Sequence, residues 1–136
     1  MILQQVARGG RAANVFQAQC SLAESVGDIV FVAGPPILGL YQVRKVNIDD
    51  SNKRTVWGMI TKITGTNCVV QTTGIVKDVY FGLTPGKKLF VDTNARATEV
   101  VPAYPTMGKR LIHKVGVVLA TNELSLDFQS MALIIP

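Results

Sequence analysis

Turn-forming residues interrupt this chain at short and regular intervals. After residue 20, clusters of glycine, proline, asparagine and aspartate recur roughly every 8 to 12 residues, and the runs between them are rich in valine, isoleucine, threonine and aromatic residues. None of these runs has the periodicity of a long amphipathic helix. The sequence therefore predicts an all-β fold, a small antiparallel β-barrel or sandwich, in which closure of a barrel would protect the edges of many short apolar strands.

The predicted strands are runs of β-branched and aromatic residues. They span residues 28–33, 41–47, 55–63, 68–72, 75–80, 88–92, 115–120 and 123–128, with a final strand at 132–135. Residues 106–114 fit more than one structure. Residues 34–39 are predicted to form a loop, because Pro35 and Pro36 cannot donate hydrogen bonds to a neighbouring strand.

Two segments place a glycine turn before an apolar strand and small polar residues after it. They are SVGDIVFVAG at Ser25–Gly34 and GLTPGKKLFVDTNARAT at Gly82–Thr98. In the second segment, Pro85 and Gly86 fit the two central positions of a type II turn, where proline presets φ and glycine accepts a positive φ. A β-branched residue at position 86 should therefore destabilise the fold. After the strand, Asn94 is the residue that we expect to accept a positive φ.

The first residues differ in composition from the rest. Residues 1–19 contain no acidic residue and only scattered apolar residues. Because the length of 136 residues suits one domain, we predict an extended N-terminal arm at residues 1–20 and a β-barrel domain at residues 21–136. The arm is either a frayed terminus or a segment that orders on a partner. In the second case, the predicted partner-contact residues are Arg8, Arg11, Val15 and Phe16.

Charged residues are sparse and well mixed. They make up 17% of the chain, against 48% hydrophobic residues, and the net charge is +5. Either other chains cover part of the surface, or the protein is a β-rich monomer. Basic residues occur in runs of two at most, whereas nucleic-acid sites favour dense basic clusters. No apolar stretch suits a transmembrane helix, and the N-terminus lacks a secretory signal pattern, so we expect neither a nucleic-acid nor a membrane partner.

Residue types that carry catalysis or bind metals are few and dispersed. Cys20 and Cys68 lack metal-ligand spacing, and their apolar surroundings favour two buried free thiols over a disulfide. His113, the only histidine, lies in a strand-like stretch and is interpreted as structural or exposed. Asp49 and Asp50 are interpreted as turn residues. We therefore predict no catalytic, cofactor-binding or metal site, and no enzyme activity.

The order of the turn-and-strand units is more specific than any one unit. It runs VGDIVFVAG, YQVRKVNIDDSNKRTVWGMITK, TTGIVKDVYFGLTPGKKLFVD, ARATEVVPAYP and HKVGVVLATNELSLDF. This series resembles the small β-barrel cement (decoration) proteins of tailed-bacteriophage capsids and related modules of phage tails and head fibres. The resemblance covers about residues 22–128, and these positions carry it: Gly27, Asp28, Val30, Gly58, Met59, Ile60, Leu83, Pro85, Gly86, Leu89, Phe90, Val91, Asp92, Thr98, Pro102, Val115, Gly116, Val118 and Leu119.

The resemblance implies a virion structural protein that is made in the host cytoplasm and sits on the capsid surface as a homotrimer. It would stabilise the head shell by non-covalent contacts with the major capsid protein. The alternative is a tail or head-fibre adaptor protein of the virion. A third alternative is a small β-barrel enzyme or an oligonucleotide-binding barrel, which would expose aromatic residues beside basic ones. Against it, we expect most of these aromatic residues to lie in the core: Tyr41, Trp57, Tyr80, Phe81, Phe90 and Tyr104.

Overall fold

The strand-and-turn pattern folds into nine β-strands. The computed structural model describes residues 13–50, 53, 55–101 and 109–134. The strands are β1 (Asn14–Gln19), β2 (Ile29–Ile37), β3 (Leu40–Lys45), β4 (Gly58–Thr64), β5 (Asn67–Lys77), β6 (Lys88–Val91), β7 (Ala97–Thr98), β8 (Lys109–Ala120) and β9 (Glu123–Ile134). No helix occurs among the described residues, and the all-β prediction is confirmed.

Five of these strands close into a barrel. β1 pairs parallel with β3 and antiparallel with β5, while β3–β2, β2–β4 and β4–β5 are antiparallel pairs. The ring β1-β3-β2-β4-β5 is therefore continuous, which confirms the predicted barrel. The other four strands form an extension that continues from β5 in the order β9-β8-β6-β7.

Strands β2 and β4 are buried on both faces where they begin. Consecutive side chains of a strand point in opposite directions, so neighbouring residues there enter two different cores. Val30 and Ile60 belong to one core, inside the barrel, which also contains Ala18, Cys20, Val43, Cys68 and Val70. Ile29 and Met59 belong to a second core, between the barrel and the extension. From the extension, this second core takes Leu89, Val91, Val115, Val118, Leu124 and Leu126.

Strand β5 is shared between the barrel and the extension. Its first part pairs with β1 and β4, and its last residues pair with β9. Gly74 (φ +92°) bends the strand, and a Cβ at this position would lie 2.6 Å from the Cα of Ala13. The prediction of two separate strands at 68–72 and 75–80 is therefore wrong, since this glycine makes a bend within one strand rather than a turn.

Strand β2 continues through Pro35 and Pro36, where the sequence predicted a loop. This prediction is wrong because β2 pairs with β4 only at Ile29 and Val30. Beyond them β2 pairs with β3 alone, so its other side is an edge at which proline is tolerated. The result is a long β2–β3 hairpin that extends past the barrel.

The last two strands are longer than predicted. β8 and β9 pair from Lys109 opposite Ile134 to Ala120 opposite Glu123. Most of the ambiguous segment 106–114 therefore belongs to β8. The segment predicted as a final strand at 132–135 is, as far as Ile134, the end of β9.

The C-terminal part of the predicted arm is a strand of the barrel. β1 lies between β3 and β5, so the structure corrects the arm predicted for residues 1–20 over Asn14–Gln19. Its composition conceals this, because Ala18 is the one buried apolar residue of a strand whose other residues are polar or exposed. Residues 1–12, which include Arg8 and Arg11, lie outside the described residues.

Two turns of the segment Gly82–Thr98 show which residue takes a positive φ. Gly86 has φ +87°, and the N–H of Lys87 donates to the carbonyl oxygen of Thr84 at 3.1 Å, as in the predicted type II turn. In the turn after β6, the positive φ (61°) falls on Ala95 and not on the predicted Asn94.

The carboxylate of Asp92 explains the second case. Its Oδ1 accepts the N–H groups of Asn94 (2.7 Å) and Arg96 (2.9 Å). These two bonds hold the turn on either side of Ala95, whose side chain is buried in the second core. Burial of this methyl group offsets the unfavourable φ of the residue.

Replacing Gly86 with valine should lower the free energy of unfolding by about 1–3 kcal/mol, because a β-branched residue resists a positive φ. No other group lies within 4 Å of a Cβ at this position, so the effect would report on the backbone alone. Gly34→Val is the matched control, since that site is equally open but has no positive φ. Urea denaturation should separate the two variants, and equal stabilities would contradict the turn assignment.

Candidate protein-contact surface

Three aromatic side chains lie together at one end of the barrel. β1, β3 and β4 all begin at this end, because β1 is parallel to β3 and both β1 and β4 are antiparallel to β5. The ring centroids of Phe16 and Trp57 are 5.3 Å apart, and those of Tyr41 and Trp57 are 5.2 Å apart in an edge-on arrangement. Aromatic rings favour such tilted contacts over face-to-face stacking. We call these three residues the aromatic cluster.

The aromatic cluster is only partly covered by the rest of the chain. Phe16 and Tyr41 are 39% and 42% exposed, while Trp57 packs against the barrel core. Further exposed apolar side chains on β1 and on the β2–β3 hairpin are those of Val15, Val32, Ile37 and Leu38. We call this region the apolar end of the barrel. A concentration of exposed apolar side chains is typical of a protein-contact surface.

A groove opens beside the aromatic cluster. It has a volume of about 270 Å³, and its lining contains no charged side chain: Phe31, Val32, Thr55, Val56 and Trp57. We call it the neutral groove. A neighbouring cavity of about 510 Å³ shares Phe31 but has a charged border of Glu24, Arg44, Lys45 and Lys53. The neutral groove is therefore the part of this surface that suits an uncharged, apolar partner group.

The structure brings two of the four predicted contact residues to the apolar end. Phe16 belongs to the aromatic cluster, and Val15 is 56% exposed on the same strand. The other two, Arg8 and Arg11, lie outside the described residues. What the structure adds is the pair of aromatic partners of Phe16 and the groove beside them.

The prediction that most aromatic residues lie in the core is correct only in part. Phe90 is buried and Trp57 and Tyr80 are half-buried, whereas Tyr41 is 42% and Phe81 70% exposed. Tyr104 lies outside the described residues. Tyr41 and Trp57 lie at or just before the start of a strand, where a barrel side chain reaches the rim. The sequence could have indicated this for Tyr41, but the strand predicted at 55–63 placed Trp57 inside a strand.

Arg96 connects the two glycine-turn segments that the sequence analysis identified. Its Nη1 lies 3.1 Å from the Oδ1 of Asp28 and donates to the carbonyl oxygen of Val26 at 2.8 Å. The guanidinium carbon also lies 4.9 Å from the ring centroid of Tyr80, a favourable cation–π contact. A side chain of the second segment thus holds the turn that opens β2.

Tyr80 links the same two segments. Its hydroxyl donates to the carbonyl oxygen of Gly27 at 2.6 Å and accepts the N–H of Ala97 at 2.9 Å. Burial raises the pKa of this hydroxyl, so it stays protonated and continues to donate in alkaline solution. Because these groups use their hydrogen-bonding capacity on one another and on the backbone, we interpret the network of Arg96, Asp28 and Tyr80 as structural.

Cys20 and Cys68 both belong to the core inside the barrel. Both are buried and unlinked, which confirms the prediction of two buried free thiols. The pKa of Cys68 is raised to about 12, mainly by burial and to a smaller extent by the neighbouring Cys20 and the Glu24 carboxylate. A thiol with so high a pKa is almost entirely protonated at neutral pH and is a poor nucleophile.

The remaining chemistry of the described residues is limited. Among them, no group of three or more histidine, cysteine, aspartate or glutamate side chains is placed to hold a metal ion. The same residues contain no helix able to cross a membrane. No protein-family model, curated protein or solved structure matches this chain.

Replacing Arg96 with methionine should lower the free energy of unfolding by about 1–3 kcal/mol, because the carboxylate of Asp28, whose side chain is 5% exposed, would lose its ion pair. The control is Lys77→Met, which removes one partner of the exposed Lys77–Glu123 pair and should change stability by less than about 1 kcal/mol. Chemical denaturation measures both changes. An equal loss in the two variants would contradict the structural importance of Arg96.

Alkylation by iodoacetamide at pH 8 should be roughly 100-fold or more slower at Cys68 in the native protein than in the urea-unfolded chain, because a raised pKa and burial both suppress thiolate attack. Peptide mass spectrometry distinguishes Cys68 from Cys20 without a variant. Similar alkylation rates in the native and unfolded protein would show that Cys68 is accessible.

The raised pKa of Cys68 also makes stability depend on pH. The protonated thiol contributes to the free energy of unfolding below its ordinary pKa of 9.0, and this contribution is lost as the pH rises towards about 12.

Proposed function

We propose that this protein is a phage virion structural protein, a capsid decoration (cement) protein that stabilises the head shell by non-covalent contacts with the major capsid protein. The observation that carries this proposal is the apolar end of the barrel, where exposed aromatic and aliphatic side chains surround a neutral groove. A closed barrel with such a surface suits a protein that works by contact with other chains. The resemblance of the turn-and-strand order to cement proteins supports the same assignment.

Strand β1 begins at this apolar end. Arg8 and Arg11 precede it in the sequence. In this proposal, Arg8 and Arg11 contact acidic groups of the shell protein while the apolar end covers a neighbouring surface. Both kinds of contact would then fall in one continuous interface.

A cement protein stays bound to the shell because it makes many such contacts at once. A standard interface covers about 800 Å² on each partner, and several interfaces engaged by one homotrimer reinforce one another through effective concentration. The resemblance supplies the trimer and the place on the virion surface in this proposal. The alternative, a tail or head-fibre adaptor, would use the same barrel at far lower copy number.

Quantitative mass spectrometry of purified virions, with the major shell protein as reference, tests the proposal directly. We expect a copy number comparable with that of the shell protein, because a cement protein must cover the shell. A handful of copies would favour the tail or head-fibre adaptor. Absence from virions would contradict both the decoration protein and the adaptor.

Val15→Glu should weaken binding to shells that have been stripped of this protein by about 10-fold or more, because it places a carboxylate in an apolar interface. Ile75→Glu is the matched control: it makes the same charge change at an exposed β-branched strand residue outside the barrel section of β5. Co-sedimentation with the shells measures both affinities, and thermal melting shows that the variants are folded. Equal binding by the two variants would contradict the assignment of the apolar end.

A further inference from the structure

The tip of the β2–β3 hairpin places a leucine where the backbone favours other residues. Leu38 and Gly39 form the two-residue turn between the paired residues Ile37 and Leu40, and both have positive φ (53° and 78°). Turns of this type favour Asn-Gly or Gly-Gly, because glycine has no Cβ and the short polar side chain of asparagine can hydrogen-bond locally at positive φ, whereas other L-residues are disfavoured there. The side chain of Leu38 is 97% exposed, so no packing within the described chain compensates for this conformation.

We call residues 35–40 the hairpin tip, and this tip is rigid, apolar and uncharged. Its rigidity comes from Pro35 and Pro36, which fix two φ angles in an extended strand. Ile37 adds a second apolar side chain that is 54% exposed. A preformed protrusion loses little conformational entropy when it docks, so even a small apolar tip can contribute to binding.

The neutral groove has the chemistry that this tip requires. It is lined by apolar and aromatic side chains and one threonine, and its volume of about 270 Å³ leaves room for an aliphatic side chain. Because neither the tip nor the groove carries a charge, their contact would bury no unpaired ion. The charged border of the neighbouring cavity suits this tip less well.

A chain cannot place its own tip in its own groove. Val32 of the groove lies on β2, and Leu38 of the tip follows the last residue of that strand, six positions after Val32. An extended backbone therefore carries the tip about 20 Å away from the groove. The hydrogen-bonded pairing of β2 with β3 prevents the hairpin from folding back. The groove that receives the tip must therefore belong to another molecule, and a second copy of this chain provides one.

We propose that the protein self-associates head to tail, with the hairpin tip of one copy seated in the neutral groove of the next. This arrangement deepens the self-association included in the proposed function, but it needs no virion shell. In this head-to-tail arrangement the tip and the groove of each copy meet different neighbours, so the contact is heterologous and closes into a ring when the rotation between copies permits. In this contact, Leu38 provides the apolar side chain that enters the groove, which explains a leucine that is exposed and has an unfavourable backbone conformation.

Sedimentation velocity at about 1 to 100 μM protein tests the interface. Wild-type protein should form a concentration-dependent oligomer, and Leu38→Asn should weaken association by about 10-fold or more while keeping or raising the melting temperature, because asparagine favours the turn. Val32→Glu should have the same effect from the groove side. The control Leu22→Asn changes an 87% exposed leucine outside the tip and should assemble like the wild type.

Mixing the two variants provides the decisive observation. Leu38→Asn keeps an intact groove and Val32→Glu keeps an intact tip, so an equimolar mixture should form pairs that grow no further. Any of three results would overturn the proposed contact: the wild type stays monomeric, the Leu38→Asn variant assembles as well as the wild type, or the two variants do not pair when mixed. None of these outcomes depends on the copy number in virions, so this proposal and the proposed function can fail separately.

Discussion

The burial of the first residues of β2 and β4 on both faces is the constraint on which the rest of the structure depends. Ile29 and Met59 complete the second core with the same two strands whose Val30 and Ile60 fill the barrel. Neither core is complete without this strand pair, so the barrel and the extension form one unit. The side chains of Arg96, Asp28 and Tyr80 form a polar network, here called the polar joint, at the turn that precedes β2.

This arrangement separates the residues that hold the fold from those that remain for a partner. The two cores absorb most of the large aliphatic side chains, and the polar joint uses the buried carboxylate of Asp28. Phe16 and Tyr41, by contrast, remain partly exposed even though they contact Trp57. A surface that stays apolar after the interior is full is the feature on which the proposed contact function rests.

The sequence predicted the features that depend on local chemistry. The all-β class, the turn at Gly86 and the free thiols follow from residue type and short-range pattern. β1, the course of β2 through its prolines and the bend at Gly74 were not predicted, because each depends on which strand lies alongside. The aromatic cluster was missed for the same reason, apart from Phe16: its members are distant in sequence and meet only when the barrel closes.

The position of β1 between two strands also determines how the protein would respond to mechanical load. A pull on the N-terminal segment acts along β1, while its hydrogen bonds to β3 and β5 lie across that direction on both sides. Such a pull loads the bonds between β1 and β5 together in shear, and the pairing with β3 at Ala18 and Gln19 holds the far end of the strand from its other side. The barrel therefore resists a load applied at the N-terminal end of β1.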